Sequence, residues 1–151
     1  MINLAQSDVL LVEDDPNDVL LIRRAFSRAK LLNPLHIVND GDTAIDYLAG
    51  VDQYSDRDRH PLPALILLDL KLPRRSGLEV LEWLKQQPEL RRLPVVVLTS
   101  SRENIDINRA YDLNANSYLV KPVAPDALLE MVKMLDLYWL TLNEKPNVEN
   151  G

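Results

Sequence analysis

The chain contains no cysteine, and this absence excludes disulfides, thiol redox chemistry and thiolate metal sites. Positive charge is also in short supply, because 17 Lys and Arg residues face 23 Asp and Glu residues. The formal net charge of −6 argues against a general nucleic-acid surface, which needs a positive field. The apolar run at residues 9–12 is too short for a signal peptide or a membrane span. We therefore expect a cytoplasmic protein that binds neither nucleic acid nor membranes.

The length of 151 residues and the ordinary composition, 46% hydrophobic and 26% charged, indicate one folded domain. A domain of this size buries about 68–70% of its unfolded surface, which allows one sizeable core. We predict that residues 8–143 form this domain and that residues 144–151 form a flexible polar tail. On this prediction no output domain accompanies it.

Five short apolar runs rich in Val, Ile and Leu alternate with segments of helical periodicity. The runs are residues 9–12, 35–38, 64–68, 95–98 and 118–120. Continuous apolar runs of this length suit strands buried on both faces, as in a parallel sheet covered by helices. The predicted fold is a flavodoxin-like, doubly wound α/β fold with strand order 2-1-3-4-5, five helices and a long last helix.

One connection, the bounds of two helices and the start of a third helix are specified in this predicted order. The polar stretch 50–63 is longer than most connections in compact domains, which indicates a functional or mobile segment. The second helix is predicted over residues 43–48 and the third over residues 78–87. Ser100 and Glu103 predict a capping box at the start of the fourth helix.

Chemically active side chains follow the predicted strands. Glu13 and Asp14 follow the first strand, Asp69 the third, Thr99 the fourth and Lys121 the fifth. All carboxyl ends of parallel strands lie at one edge of the sheet, where ligands bind in such folds. Three carboxylates repel one another unless cations offset them, and hard oxygen ligands suit Mg²⁺. The pattern predicts a divalent metal site with a lysine as a fixed positive charge.

A carboxylate placed beside Mg²⁺ and a lysine can attack a phosphoryl group and form an aspartyl phosphate. Asp69 is the predicted nucleophile, because a bare acid directly after the apolar run LILL needs a chemical reason. Thr99 would offer its hydroxyl to one of the transferred oxygens.

Four segments in this order resemble the receiver domain of two-component response regulators: LLVEDDPNDVLLIRRAF, LILLDLKLPRRSGLEVL, VVVLTSS and NSYLVKP. The resemblance covers nearly the whole chain. It implies a phosphoacceptor at Asp69, a Mg²⁺ or Mn²⁺ site, and a protein whose only catalysis is its own phosphorylation and slow dephosphorylation. The implied roles are metal binding by Glu13, Asp14, Asp69 and the main-chain carbonyl of Lys71, phosphoryl contact by Lys121, and switching by Thr99 and Tyr118.

A narrower resemblance links the chain to small response regulators paired with cyanobacterial phytochrome histidine kinases. It rests on DPNDVLLI, NDGDTAIDYL, the 50–63 stretch and the ending YWLTLNEKP. It implies a sensor histidine kinase of the phytochrome type as partner. One departure is local: Arg74, Arg75 and Ser76 precede Gly77 where family members often carry Asp-Gly, and they add positive charge near the expected kinase contact.

Phosphorylation would add about −1.5 to −2 charge at Asp69 and bias the conformation of Thr99 and Tyr118. The expected output surface is the fourth helix, fifth strand and fifth helix. The end of the last helix is apolar nearly all round at residues 137–140, which suggests that a second copy covers it. We expect a homodimer through this face and the last helix.

Three alternatives remain at this point. An FMN-binding flavodoxin relative is disfavoured, because Glu13, Asp14 and Asp15 would repel phosphate after the first strand. A Mg²⁺-dependent phosphohydrolase with an aspartyl nucleophile usually carries a second acid two residues later, where this chain has Lys71. A receiver-shaped adaptor that takes no phosphate would not need every pocket position filled by a competent residue.

Overall fold

The structure, a computed structural model, describes residues 8–141, with side chains up to residue 134 except that of Val132. Five parallel strands form one sheet in the order β2-β1-β3-β4-β5, which confirms the predicted flavodoxin-like fold. The strands are β1 (Val9–Val12), β2 (Leu35–Val38), β3 (Leu65–Leu68), β4 (Val95–Thr99) and β5 (Ser117–Val120). Residues 142 and 143 and the predicted tail 144–151 lie outside the described residues.

The helices alternate with the strands as predicted. They are α1 (Pro16–Arg28), α2 (Gly41–Ala49), α3 (Gly77–Lys85), α4 (Asn104–Asp112) and α5 (Pro125–Thr141), with short 3₁₀ helices at Asp52–Tyr54 and Leu90–Arg92. Within residues 8–141, no helix is both long and apolar enough to cross a membrane.

The sheet is buried on both faces because its strands alternate side chains between two hydrophobic clusters. Leu10 and Val12 of β1 point into the cluster covered by α2, α3 and α4. Val9 and Leu11 point into the opposite cluster, which is covered by α1 and α5. Each strand therefore needs apolar residues at successive positions, which explains the continuous runs seen in the sequence.

Side-chain caps determine where three of the helices begin. Asp15 accepts a hydrogen bond from the Asn17 N–H at 2.9 Å, with Pro16 as the first helical residue of α1. Asp40 caps α2 through the Thr43 N–H at 2.7 Å, so α2 begins two residues earlier than predicted. Ser76 starts α3 with a capping box, and the helix begins at Gly77.

The predicted capping box of Ser100 and Glu103 is wrong. Glu103 occupies the N-cap position of α4, but its side chain makes no capping hydrogen bond. Ser100 is exposed, whereas its neighbour Ser101 is buried and supplies the polar contacts. The Ser101 hydroxyl accepts the Glu103 N–H at 3.3 Å and donates to Asp106 Oδ2 at 2.6 Å. The helix start is therefore held by the inward-facing serine of the pair.

The 50–63 stretch is anchored to the end of α2 by one arginine. The Arg57 guanidinium donates to the carbonyl oxygens of Tyr47 at 2.8 Å and Leu48 at 2.9 Å, which belong to the last turn of α2. Tyr54 and His60 pack their rings against Tyr47, at centroid distances of 5.1 and 5.9 Å. Because the stretch follows α2 and leads into β3, it lies at the amino ends of the strands, away from the edge where the predicted site residues meet.

Candidate functional site

The three predicted carboxylates do meet at the carboxyl edge of the sheet. One carboxylate oxygen each of Glu13, Asp14 and Asp69 lies within 4.8 Å of the others. Glu13 and Asp69 are buried, with 1% and 7% of their surfaces exposed, and Asp14 is exposed. The parallel pairing of β1 with β3 produces this arrangement, since it aligns Val12 with Leu68 and so brings the following residues together. A cluster with one open side suits a hydrated divalent cation.

Lys121 supplies the positive charge predicted for this cluster. Its Nζ donates to Asp69 Oδ2 at 3.0 Å and to Asp18 Oδ2 at 3.0 Å, and it also contacts Glu13 Oε1. The Lys121 N–H donates to the Thr99 carbonyl at 2.9 Å, which keeps the end of β5 on the end of β4. The peptide bond between Lys121 and Pro122 is cis. The ammonium group thus has three carboxylate partners, one for each of its protons.

For both Glu13 and Lys121, burial shifts the pKa toward the neutral form, and the contact between them shifts it toward the charged form. Burial raises the pKa of the Glu13 carboxyl to about 7, although the bond from Lys121 opposes this shift. Burial lowers the pKa of the Lys121 ammonium, but its hydrogen bonds to Glu13, Asp18 and Asp69 outweigh burial and leave the pKa above its usual value. The lysine therefore keeps its charge at neutral pH, and Glu13 is easier to protonate than an ordinary glutamate.

Asp18 is not among the site residues predicted from the sequence. It lies in the first turn of α1, where an acidic residue is ordinarily explained by its favourable position at the helix N-terminus. Its contact with Lys121 depends on how α1 lies across the sheet. The sequence prediction used only the residues that directly follow each strand, so it could not give the position of this helix. The spacing of Asp18 from the Asp15 cap was the available signal, because it places Asp18 on the first turn near the end of β1.

The backbone around Asp69 is held on two sides. The Asp69 N–H donates to the Val12 carbonyl at 3.1 Å, and Asp69 Oδ1 accepts the Lys71 N–H at 3.2 Å. Gly77 packs against the same turn, and a Cβ at this position would lie 2.2 Å from the Asp69 carbonyl oxygen. The missing side chain of Gly77 therefore lets α3 approach the turn that carries Asp69. Lys71 is exposed, and its carbonyl as a metal ligand stays a prediction.

Thr99 and Tyr118, the two predicted switch residues, both contact Ser101. Thr99 is fully buried at the end of β4, and its Oγ1 accepts the Ser101 N–H at 3.5 Å. The Tyr118 hydroxyl donates to the Ser101 carbonyl at 3.0 Å. Burial raises the pKa of the Tyr118 phenol, so the hydroxyl stays protonated and able to donate. One short segment after β4 thus connects the end of the sheet to both side chains and, through Asp106, to α4.

Two positive side chains lie on the loop before α3, where they pair with Asp42 of α2. Arg75 Nε lies 3.1 Å from Asp42 Oδ1, and Arg74 Nη1 lies 3.8 Å from the other oxygen of the same carboxylate. Both arginines remain largely exposed, at 51% and 68% of their side chains. Arg74 and Arg75, which stand where related receiver domains often carry Asp-Gly, therefore place two positive charges on the surface of this loop.

Comparison with known proteins agrees with this geometry. The family model of the response regulator receiver domain matches residues 9–133. The chain is 41% identical over 138 residues to the probable methanogenesis regulatory protein FilR2 of Methanothrix harundinacea, covering 91% of this chain and 86% of that protein. It is 39% identical over 132 residues to response regulator Rcp1 of Synechocystis sp., covering 87% of this chain and 88% of Rcp1.

Solved structures give the same picture. The phosphorylated cyanobacterial phytochrome response regulator RcpA superposes with a TM-score of 0.76 at 37% identity, covering 94% of this chain and 99% of that one. The Mn²⁺-bound form of Rcp1 superposes with a TM-score of 0.73 at 38% identity, covering 93% of this chain and 99% of that one.

Proposed function

Because the chain belongs to the response regulator receiver domain family, we propose that Asp69 is its phosphoacceptor and that a sensor histidine kinase supplies the phosphoryl group. Signalling by phosphorylation is the function of this family. The observation that carries the assignment of Asp69 is its contact with the Lys121 ammonium inside a cluster of three carboxylates. We propose residues 8–143 as the receiver domain, and the cysteine-free chain is compatible with a reducing cytoplasm.

Receiver domains bind a divalent metal, and the donor set here fits one. Glu13, Asp14 and Asp69 would hold Mg²⁺ or Mn²⁺, with the Lys71 carbonyl as a further ligand, because hard cations prefer oxygen donors. A bound Mg²⁺ would neutralise part of the charge on the transferred phosphoryl oxygens. The neighbour structure with Mn²⁺ supports this site in a similar protein.

The reaction is an exchange of one bond to phosphorus for another. A carboxylate oxygen of Asp69 forms a bond to phosphorus while the bond from phosphorus to the donor nitrogen of a phosphohistidine breaks, and the imidazole leaves with the bonding electrons. Lys121 stabilises the transferred oxygens, since its ammonium already lies 3.0 Å from Asp69 Oδ2. Thr99, at the end of the adjacent strand β4, donates its hydroxyl to another oxygen of the transferred phosphoryl group. Apart from this transfer and the slow hydrolysis of the aspartyl phosphate to carboxylate and inorganic phosphate, we assign no enzymatic activity.

The kinase is proposed to be of the phytochrome type. Histidine kinases phosphorylate receiver domains in general, and this much follows from the family. The narrower proposal is supported by the similarity to Rcp1 and to RcpA, which is described as a phytochrome response regulator.

Incubation with Mg²⁺ and labelled acetyl phosphate tests the proposal. We expect one phosphoryl group per chain, stable to acid and labile to base, and we expect EDTA to prevent the labelling. A phytochrome-type kinase loaded with phosphate should transfer its label faster than an unrelated histidine kinase. Absence of any label would reject the function in favour of a non-phosphorylated adaptor. Rapid multiple turnover on phosphate esters would instead identify a phosphohydrolase.

The homodimer is also a proposal, and exposed apolar side chains on α4 and α5 support it. Ile105, Tyr111 and Met134 are 72%, 47% and 69% exposed. The side chains at 137–140, on which the sequence prediction rests, lie outside the described side chains. We expect sedimentation to show a dimer at micromolar concentration that Ile105→Lys weakens at least tenfold, because a buried charge opposes association. A monomer with and without beryllofluoride, a mimic of the phosphoryl group, would contradict the proposal.

A further inference from the structure

Among the described residues, Asp18 is the partner of the Lys121 ammonium group that is neither the proposed acceptor nor a proposed metal ligand. Its Oδ2 accepts a hydrogen bond from Lys121 Nζ at 3.0 Å. Glu13 and Asp69, the other two partners of the ammonium group, belong to the carboxylate cluster, and Asp18 lies outside it. The three acceptors of the Lys121 hydrogen bonds therefore have different roles in the proposed reaction.

Two of these acceptors change their bonding during the proposed phosphorylation. Glu13 would bind the metal, and Asp69 would carry the phosphoryl group, so a phosphoryl oxygen would replace its carboxylate as the partner of Lys121. Asp18 is the acceptor whose covalent state and ligands stay constant. We propose that Asp18 is a positioning residue that holds the Lys121 ammonium toward the acceptor before and after transfer. This inference rests on the proposed function.

The backbone of Asp18 is well fixed for this task. Asp18 is the third residue of α1, two residues after the proline that opens the helix and three after the Asp15 cap. Ile22, Ala25 and Phe26 anchor α1 in the core, so the first turn cannot shift easily. The positive end of the helix dipole also favours a carboxylate there. The acceptor oxygen is therefore held by a helix and not by a loop.

Lys121 gains from such an anchor because its long side chain is flexible and borders the surface. A lysine side chain loses rotamer entropy when it is held in one position, which favours its release from a single contact. Asp18 and Lys121 both line a surface cavity of about 170 Å³ between α1 and the segment after β5. Asp18 is 28% exposed and Lys121 12% exposed, so water reaches both side chains. Without Asp18, the ammonium would lose its acceptor on the α1 side, and only Glu13 and Asp69, whose bonding changes in the proposed reaction, would hold it.

The test measures the rate of phosphorylation by acetyl phosphate at saturating Mg²⁺ in the full chain. Asp18→Ala is expected to lower this rate about tenfold, because misplacement of a charge-stabilising group weakens its effect on the transferred oxygens. Asp18→Glu, which keeps the carboxylate, should recover part of the rate. The Mg²⁺ affinity, measured by calorimetry, should change less than about twofold, since Asp18 is not a proposed ligand.

Asp15→Asn is the matched control, because it removes one negative charge three residues away and asparagine still caps the helix. Its rate should stay within about twofold of wild type. The decisive comparison is Asp18→Ala in a Lys121→Met background, where we expect no further loss, since the positioned group is gone. Thermal melting of each variant verifies that the fold is intact.

If Asp18→Ala slows the Lys121→Met chain by the same factor as it slows wild type, the inference is overturned. An unchanged rate in the Asp18→Ala single variant would also overturn it. A parallel loss of Mg²⁺ affinity would also overturn it, because Asp18 would then act on the metal. A wild-type chain that takes no label is a different result, which refutes the proposed function itself. If the wild type takes the label and the Asp18→Ala variant takes it at the same rate, only the positioning role is refuted.

Discussion

Asp69→Asn is expected to lose the phosphoryl label entirely, with a drop of at least about 100-fold in labelling by acetyl phosphate or by a phosphorylated kinase. The amide has nearly the shape of the carboxylate, so its oxygen can still accept the Lys71 N–H that Asp69 Oδ1 accepts at 3.2 Å. It is not a nucleophile, however, and forms no acyl phosphate. Intact-mass spectrometry after incubation with Mg²⁺ and donor measures the loss directly.

Asp42→Asn provides the matched control for this substitution. It makes the same chemical change on α2, where the aspartate pairs with Arg75 at 3.1 Å and takes no part in the carboxylate cluster. We expect labelling of this variant at the wild-type level. Full labelling of Asp69→Asn would place the acceptor elsewhere, and Asp14 and Glu13, which have oxygens within 4.8 Å of Asp69, would be tested next.

Lys121→Met is expected to lower the phosphorylation rate by about 10²–10³-fold, the usual effect of removing one preorganised group that stabilises transferred oxygens. Methionine keeps an unbranched side chain of similar length but removes the charge that contacts Asp69 and Glu13. The proposed metal ligands are all oxygen atoms of other residues, so Mg²⁺ should still bind. A stopped assay with acetyl phosphate over a range of Mg²⁺ concentrations separates the rate from the metal affinity.

Lys71→Met tests whether the effect belongs to this lysine or to any cation nearby. Lys71 lies two residues after the acceptor with an exposed side chain, and only its main-chain atoms are assigned a role. We expect its rate to stay within about threefold of wild type, as for other exposed charges. If Lys121→Met and Lys71→Met lowered the phosphorylation rate equally, the rate would depend on positive charge near the site in general and not on the contact of Lys121 with Asp69.

Strand-end reasoning predicted the centre of the site because parallel pairing leaves little freedom there. Each buried run forces its strand into the sheet, and the residue that follows must emerge at the same edge. Glu13, Asp69 and Lys121 therefore come together as predicted, with Asp14 beside them. The order of the five strands was also correct, since short alternating strand and helix segments permit few topologies.

The predictions that failed or were missing concern packing between elements. Asp18 reaches Lys121 only because of the position that α1 adopts over the sheet, and no local pattern encodes that position. The choice between Ser100 and Ser101 at α4 depends on which serine faces the core, and two adjacent serines look alike in the sequence. Arg57 is similar, because a charged residue in a polar stretch gives no sign that it binds the carbonyls of a helix end.

The anchored 50–63 stretch has a practical use in handling this protein. It lies at the opposite end of the sheet from the acceptor, and Asp58 is an exposed residue within it. Because the chain has no cysteine, Asp58→Cys would give the molecule a single thiol for attachment to a biosensor surface. A protein immobilised there would present its phosphoacceptor edge outward, so kinases and metal ions could be tested in flow without obstruction by the tether.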